Sequence, residues 1–166
     1  IIVAHEIYTA GDTRAGIQTL AFNLPNDERV RKQEGSKKVM LKNVAEAKFK
    51  KILVPIAHQV LTEKDANDVD FEAFFAHTLI HEVSHGIGPS ESDVNGEKID
   101  VRKALKDYYS TIEECKADTL GAYNNVYLIT KKLYPKNFEK VMWPTYLAGI
   151  FRSIRFGIGE AHGGGN

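Results

Sequence analysis

The stretch HTLIHEVSH, residues 77–85, constrains the fold of this chain more than any other part of the sequence. It continues an apolar run with helical spacing, and either Asp68 or Asp70 stands where an N-cap residue is expected. On a helix, His81 and His85 project within about 40° of each other, because four residues make slightly more than one turn. The chain is therefore expected to place two imidazoles side by side on a largely buried helix.

The residue between these histidines suggests chemistry. Glu82 is offset from His81 by about 100° around the helix, so it cannot join the two imidazoles on one ion without strain, but it can lean over a neighbouring water. H-E-x-x-H therefore predicts two zinc ligands and a general base. With six histidines and 13 glutamates in 166 residues, chance yields the pattern in about one or two such sequences per hundred. A pair of half-exposed helix histidines is the alternative.

A catalytic zinc needs a third protein ligand if water takes the fourth position. The segment EECKAD, residues 113–118, can supply it from a second helix. One of the two adjacent glutamates can bind the metal while its neighbour orients a histidine, and Asp118 can accept the second ring N–H of His81 or His85. The alternative is that acidic residues in a first helical turn stabilise the helix dipole.

The remaining patterns predict a mainly α fold with a short extended or β segment near the N-terminus. We expect one strand and then loops over residues 1–24, and a helix over 38–61 that Pro55 kinks or breaks. Gly86, Gly88 and Pro89 should end the histidine helix. The other predicted elements are a loop with a short helical piece over 90–108, a long helix begun by a Ser110–Glu113 capping box, and a last helix over about 137–156, after Pro135.

Length and charge suggest one domain, residues 1–166, without a nucleic-acid or membrane partner. Lys plus Arg and Asp plus Glu both number 22, so no charge excess favours polyanions or an anionic membrane. No apolar run approaches the roughly 20 residues of a membrane helix, and no signal-like start is visible, so we expect a cytoplasmic protein. The single Cys115 excludes an internal disulfide.

Because the chain starts at Ile1 and ends in EAHGGGN, we expect a piece of a longer protein; a processed mature chain is the alternative.

Four motifs in order resemble the dipeptidyl peptidase III family of zinc exopeptidases. HEVSH followed by EECKAD is similar to the family's H-E-x-x-G-H, or bacterial H-E-x-x-H, with a following E-E-C-R-A-E/D. FNLPNDERVRKQEGSKKVMLKNV is similar to its asparagine–x-Pro–asparagine stretch and the Glu-Gly-x-Lys run after it, and EAHGGGN falls near its Ala-His segment. The resemblance spans residues 16–162, most of the chain. The chain lacks the basic residue that follows the histidine in eukaryotic members.

Carried over position by position, the resemblance implies a role for each matched residue. It implies one Zn²⁺ per chain on His81, His85 and Glu114, with Glu82 as the general base. It further implies that Glu113 and Asp118 are carboxylates that orient the histidines. Asn23 and Asn26 match asparagines that hold the N-terminal end and backbone of a peptide. His162 matches a histidine that donates to the tetrahedral intermediate. For Asn23 and Asn26 the alternative is turn chemistry around Pro25, and for His162 it is a flexible tail. His5, His58 and His77 match no motif and are expected to be ordinary polar or core histidines.

The resemblance thus implies a zinc-dependent peptidase that releases dipeptides from peptide N-termini, through a zinc-activated water and Glu82. Two alternatives are a zinc endopeptidase and a non-catalytic, zinc-stabilised domain that binds peptides. Members of the family are much longer and bind peptide between two lobes. We therefore expect this chain to be the zinc-bearing catalytic lobe, to need the remainder of the enzyme as a partner, and to show weak or no turnover alone.

Overall fold

A computed structural model describes residues 1–10, 19–24, 35 and 37–166. The chain divides into two compact units, Ile1–Pro55 and Ile56–Asn166. Helices dominate the described residues and strands are few and short, which confirms the mainly α prediction. That the chain is a single domain remains a prediction.

The first unit contains a three-stranded sheet: β1 (Ile2–Ala4), β2 (Ala21–Leu24) and β3 (Lys37–Leu41). The central strand β3 pairs in parallel with β1 and antiparallel with β2. Only β1 was expected. Residues 38–41 were predicted to be helical and 21–24 to be loop, and both predictions are wrong, because sheet pairing overrides a short apolar pattern that suits either structure.

A helical segment follows β3 without a loop. It consists of α1 (Lys42–Lys48), a π-helical turn (Phe49–Leu53) and α2 (Val54–Val60). Pro55 therefore does not end the helix. Its ring crowds the carbonyl four residues earlier and it has no N–H to donate, and the widened π turn just before it accommodates both effects.

The second unit is built around three longer helices. After the last residues of α2 it contains the short α3 (Glu63–Asn67) and then α4 (Phe71–Ser84), which carries His81 and has His85 as its C-cap residue. Asp70 caps α4 by accepting from Ala73 N at 3.0 Å, as one of the two predicted caps. The helix ends before Gly86 and Gly88, and Gly88 has a φ of +110°, which confirms the predicted stop.

A β-hairpin occupies part of the region predicted as loop. Its strands are β4 (Glu91–Val94) and β5 (Glu97–Asp100), and Asn95 and Gly96 between them both have positive φ. Asn-Gly is the preferred pair for a two-residue hairpin turn of this kind. The hairpin signal was therefore present in the sequence and was missed.

The chain continues through α5 (Val101–Leu105) and a 3₁₀ turn (Lys106–Tyr108) into α6 (Tyr109–Thr130). The predicted Ser110–Glu113 capping box is wrong, because Ser110 lies inside α6 and Tyr108 is the N-cap residue, without a side-chain cap. The last long helix, α7 (Phe138–Ile154), agrees with its prediction. The tail forms a short helix, α8 (Ala161–Gly165).

The core of the second unit forms where α4, α6 and α7 meet. Buried Ala73 and Ala76 of α4 pack with Phe138 and Met142 of α7. On α6, the buried amide of Asn125 donates to Gly121 O at 2.8 Å and accepts from the Tyr134 hydroxyl at 2.7 Å. Val126 and Ile129 of α6 pack against the same cluster, and Gly121 of α6 lies close to the backbone of His81 on α4, so the residues of EECKAD face the histidine helix. No helix among the described residues is both long and apolar enough to span a membrane.

Candidate metal centre

The structure brings His81, His85 and Glu114 together. The Nε2 atoms of the two histidines lie 3.1 Å apart. Oε2 of Glu114 lies 3.3 Å from Nε2 of His81 and 3.8 Å from Nε2 of His85. Two imidazole nitrogens and one carboxylate oxygen therefore converge on a point between α4 and α6.

This donor set fits a zinc ion. Two histidines and one glutamate form a common catalytic zinc site, and tetrahedral bonds of 2.0–2.1 Å separate donor atoms by about 3.3 Å. Two of the observed separations, 3.1 and 3.3 Å, lie close to that value, and the third is 3.8 Å. Oε2 of Glu114 is also buried, with no hydrogen-bond partner among the described residues. A buried carboxylate oxygen needs compensation, and a cation among these three atoms would provide it.

Each of the two histidines also contacts a carboxylate through its other ring nitrogen, Nδ1. Nδ1 of His81 lies 2.6 Å from Oδ1 of Asp118, and Nδ1 of His85 lies 3.0 Å from Oε1 of Glu113. An ionised carboxylate only accepts hydrogen bonds, so each Nδ1 donates and Nε2 is the ring nitrogen that faces the centre. This is the arrangement that orients metal-binding histidines in proteins.

The electrostatics of the centre favour positive charge. Burial lowers the pKa of His81, but hydrogen bonds to Asp118 and Glu114 outweigh burial and raise it to about 9. Burial would raise the pKa of Asp118, yet hydrogen bonds from His77 and His81 hold it well below its usual range. Burial would raise the pKa of Glu114, but the nearby His81, His162 and His85 outweigh burial and lower it. Carboxylates that stabilise a proton on His81 also stabilise a divalent cation, which displaces that proton when it binds.

Lys116 also contacts Glu113. Lys116 Nζ lies 2.8 Å from Oε1 of Glu113 and donates to the carbonyl of Ile87 at 2.7 Å. This ammonium ties the start of α6 to the segment after α4, where His85 is located. Sequence reasoning missed Lys116, although its position three residues after Glu113 on one helix face was a usable signal.

His162 also reaches the centre. Its Nε2 lies 3.2 Å from Oε2 of Glu114, and its ring stacks at 6.2 Å from that of His81. Glu160 accepts from Nδ1 of His162 at 2.8 Å and, through its other oxygen, from Gly163 N at 3.0 Å, which caps α8. His162 is therefore held in an ordered helix and does not lie in a flexible tail.

The glycines after His162 allow α8 to pack closely against α6. A Cβ on Gly164 would lie 2.9 Å from the carbonyl oxygen of Ile158, and one on Gly165 would lie 3.0 Å from Cys115 N of α6. A larger residue at either position would push α8 away from α6. The three glycines therefore allow α8 to pack closely on α6 beside Glu114. In the sequence alone, the same GGG run suggests a flexible tail.

The other predicted site residues have different positions. Glu82 is half-buried on α4 between the two histidines. Asn23 lies on β2 opposite Lys38, while Asn26 lies outside the described residues. The peptide-binding roles of both asparagines stay predictions. His77 was expected to be an ordinary histidine, but its Nε2 lies 3.3 Å from Oδ1 of Asp118.

Comparison with known proteins identifies similar sequences and folds. A family model described as "Peptidase family M49" matches residues 8–93. The solved structure of DPP III from Caldithrix abyssi is 62% identical, with a TM-score of 0.92 over 98% of this chain and 31% of that one. Dipeptidyl-peptidase III from Corallococcus sp. strain EGB is 51% identical, with a TM-score of 0.86 over 98% of this chain and 30% of that one.

A curated relative has a different kind of name. "Nudix hydrolase 3" of Arabidopsis thaliana is 49% identical over 166 residues, which make up 99% of this chain and 21% of that protein. The chain thus spans about a fifth of this relative and about a third of each solved structure. Most of the Arabidopsis protein lies outside the match.

Proposed function

This chain belongs to peptidase family M49, and we propose that it is the zinc-binding part of an enzyme that releases dipeptides from the N-termini of peptides. The observation that carries the proposal is the convergence of Nε2 of His81, Nε2 of His85 and Oε2 of Glu114 within 4.8 Å of one another. The similarity to two dipeptidyl peptidase III structures supports the dipeptide specificity. The Nudix name belongs to a protein of which the match covers 21%, so it carries no argument for a Nudix activity here.

A zinc ion bound by these three residues supplies Lewis acidity, which polarises a peptide carbonyl and acidifies a nearby water. The chain's own residues then have separate tasks. Asp118 and Glu113 hold the histidine rings by their Nδ1 atoms at 2.6 and 3.0 Å, so that both Nε2 lone pairs keep their direction. Removing such an orienting partner typically costs 10–100-fold in metal affinity or activity.

Glu82 is the proposed general base. It is half-buried, next in sequence to His81 and on the same helix. Its carboxylate takes a proton from the attacking water and later delivers it to the leaving amine, a function that contributes about 10²–10⁴ in rate.

His162 is the proposed electrophilic partner. Glu160 holds its Nδ1, and Nε2 lies beside Glu114 at the centre. With Nδ1 donating to Glu160, a proton on Nε2 as well lets the ring donate to the carbonyl oxygen as negative charge develops on it, an effect worth about 10²–10³ in rate for a single donor. Asn23 and Asn26 are proposed to anchor the peptide's free N-terminus, which would set the cleavage point two residues along.

The test compares peptides with free and acetylated N-termini in the intact protein, in wild type and in Glu82→Ala. We expect wild type to release dipeptides from the free peptide only, and Glu82→Ala to keep its zinc but lose nearly all hydrolysis. Cleavage of the acetylated peptide at internal bonds would identify an endopeptidase instead. Normal hydrolysis by Glu82→Ala would refute the mechanism, and zinc binding without any hydrolysis by wild type would favour a non-catalytic peptide-binding domain.

A further inference from the structure

His77 shares a carboxylate oxygen with a ligand histidine. Its Nε2 lies 3.3 Å from Oδ1 of Asp118, and the same oxygen lies 2.6 Å from Nδ1 of His81. Since an ionised carboxylate can only accept, both histidines donate to it. Because His77 and His81 are four residues apart on α4, one carboxylate from α6 bridges two successive turns of the histidine helix.

The His77 ring is held in place from all three long helices. Its side chain is 18% exposed and its ring packs at 4.7 Å from that of Tyr146 on α7. On α6, Gly121 leaves so little space that a Cβ there would lie 3.2 Å from Cε1 of His77. A ring confined in this way loses little additional freedom when it donates to Asp118, so the hydrogen bond is preorganised.

We propose that His77 is a positioning residue of the metal centre, which fixes the Asp118 carboxylate and through it the orientation of His81. The inference deepens the proposed function and rests on it. Without His77, the carboxylate would be held by His81 at Oδ1 and by the amide of exposed Asn166, which donates to Oδ2 at 3.0 Å. With a second donor to Oδ1 from one turn earlier, the position of that oxygen is fixed by both histidines, which directs Nε2 of His81 toward Glu114.

An alternative is a second metal site formed by His77, His81 and Asp118, whose donor atoms also lie within 4.8 Å of one another. Such a site would have to use Nδ1 of His81, since Nε2 already faces Glu114 at 3.3 Å. Metals on both nitrogens of one ring require the imidazolate anion, which has no N–H left. The short 2.6 Å contact with Asp118 instead indicates that Nδ1 keeps its proton, which favours the positioning role.

The experiment measures zinc release from the intact protein to an excess of chelator. His77→Leu and His77→Phe remove the donor, and His77→Phe keeps a ring against Tyr146. His77→Gln keeps an N–H donor at a similar reach. The control is His58→Leu, at an exposed position of α2 outside the centre.

We expect both non-donor variants to release zinc about tenfold faster, at the lower end of the effect of removing a histidine's direct partner. His77→Gln should stay close to wild type, and His58→Leu should equal it. A Co²⁺-substituted protein should show an altered visible spectrum in the non-donor variants, which is rescued by His77→Gln. Loss of packing alone would not produce that pattern of rescue.

A double-mutant cycle tests whether His77 acts through Asp118. In an Asp118→Leu background, His77→Leu should accelerate zinc release by much less than tenfold, because the shared acceptor is already gone. An unchanged release rate in His77→Leu, or the same acceleration in both backgrounds, overturns the inference. Two metals in wild type and one in His77→Leu would overturn it in favour of a second site. Absence of zinc from wild type would instead refute the proposed function.

Discussion

The close crossing of α4 and α6 at Gly121 leads to a prediction with a matched control. A Cβ at Gly121 would lie 3.3 Å from the backbone nitrogen of His81 and 3.4 Å from its Cα. Backbone atoms of a capped, packed helix cannot rotate away as a flexible side chain can. Gly121→Ala should therefore widen the crossing by a few tenths of an ångström, at the residue that the metal centre depends on.

Two opposing effects set the size of the change. Alanine is favoured over glycine within a helix by about 1 kcal/mol, whereas overpacking a tight contact costs about 1–3 kcal/mol. Gly149 on α7 is the matched control, because a Cβ there meets nothing within 4 Å. Gly149→Ala should gain the helical preference alone. The two variants should therefore differ in free energy of unfolding by about 1–3 kcal/mol, with Gly121→Ala the less stable.

Urea unfolding of the two variants and wild type, together with zinc release to a chelator, measures both consequences. Gly121→Ala should release zinc faster than wild type, since a wider crossing lengthens the contact between His81 and Asp118. Gly149→Ala should release zinc at the wild-type rate. If Gly121→Ala is as stable as Gly149→Ala and holds zinc equally well, the crossing does not position the centre.

Three further predictions concern the supports around the centre. Glu160→Ala removes the partner of His162 and the cap of α8, so peptide hydrolysis should fall by up to about 10²-fold while zinc content, measured by mass spectrometry, stays unchanged. Gly96→Ala places a side chain at a φ of +85°, so hydrogen exchange should show the 91–100 hairpin opening more often, by about 1–2 kcal/mol, with zinc binding intact. Asp70→Ala removes the acceptor of Ala73 N at 3.0 Å, and urea unfolding should show a loss of about 1 kcal/mol.

The sequence predicted the parts of the fold that depend on local signals. The cap at Asp70, the end of the histidine helix and the span of α7 all follow from neighbouring residues. The strand β3 could not be predicted in this way, because Val39 and Leu41 fit a helix and a strand equally and pairing with β1 and β2 decides between them. The Asn95-Gly96 hairpin is different, because its signal was local and was overlooked.

The candidate site divides along the same line. H-E-x-x-H and EECKAD carry enough information to propose His81, His85 and Glu114 together, and the structure brings those atoms together. His77 matches no motif, and its bond to Asp118 arises only from how α4 crosses α6. Glu160 and the GGG run look like an ordinary tail in the sequence. Their role depends on the packing of α8 on α6, and glycine is the only sequence signal of such close backbone contact.

Metal content of the purified intact protein, measured by mass spectrometry for wild type and Glu114→Ala in parallel, tests the central claim most directly. The arrangement of two Nε2 atoms and one buried carboxylate oxygen predicts about one zinc per chain in wild type, largely lost in the variant. A wild-type protein that holds no zinc after reconstitution, or a variant that holds as much as wild type, would show that His81, His85 and Glu114 do not form a zinc site.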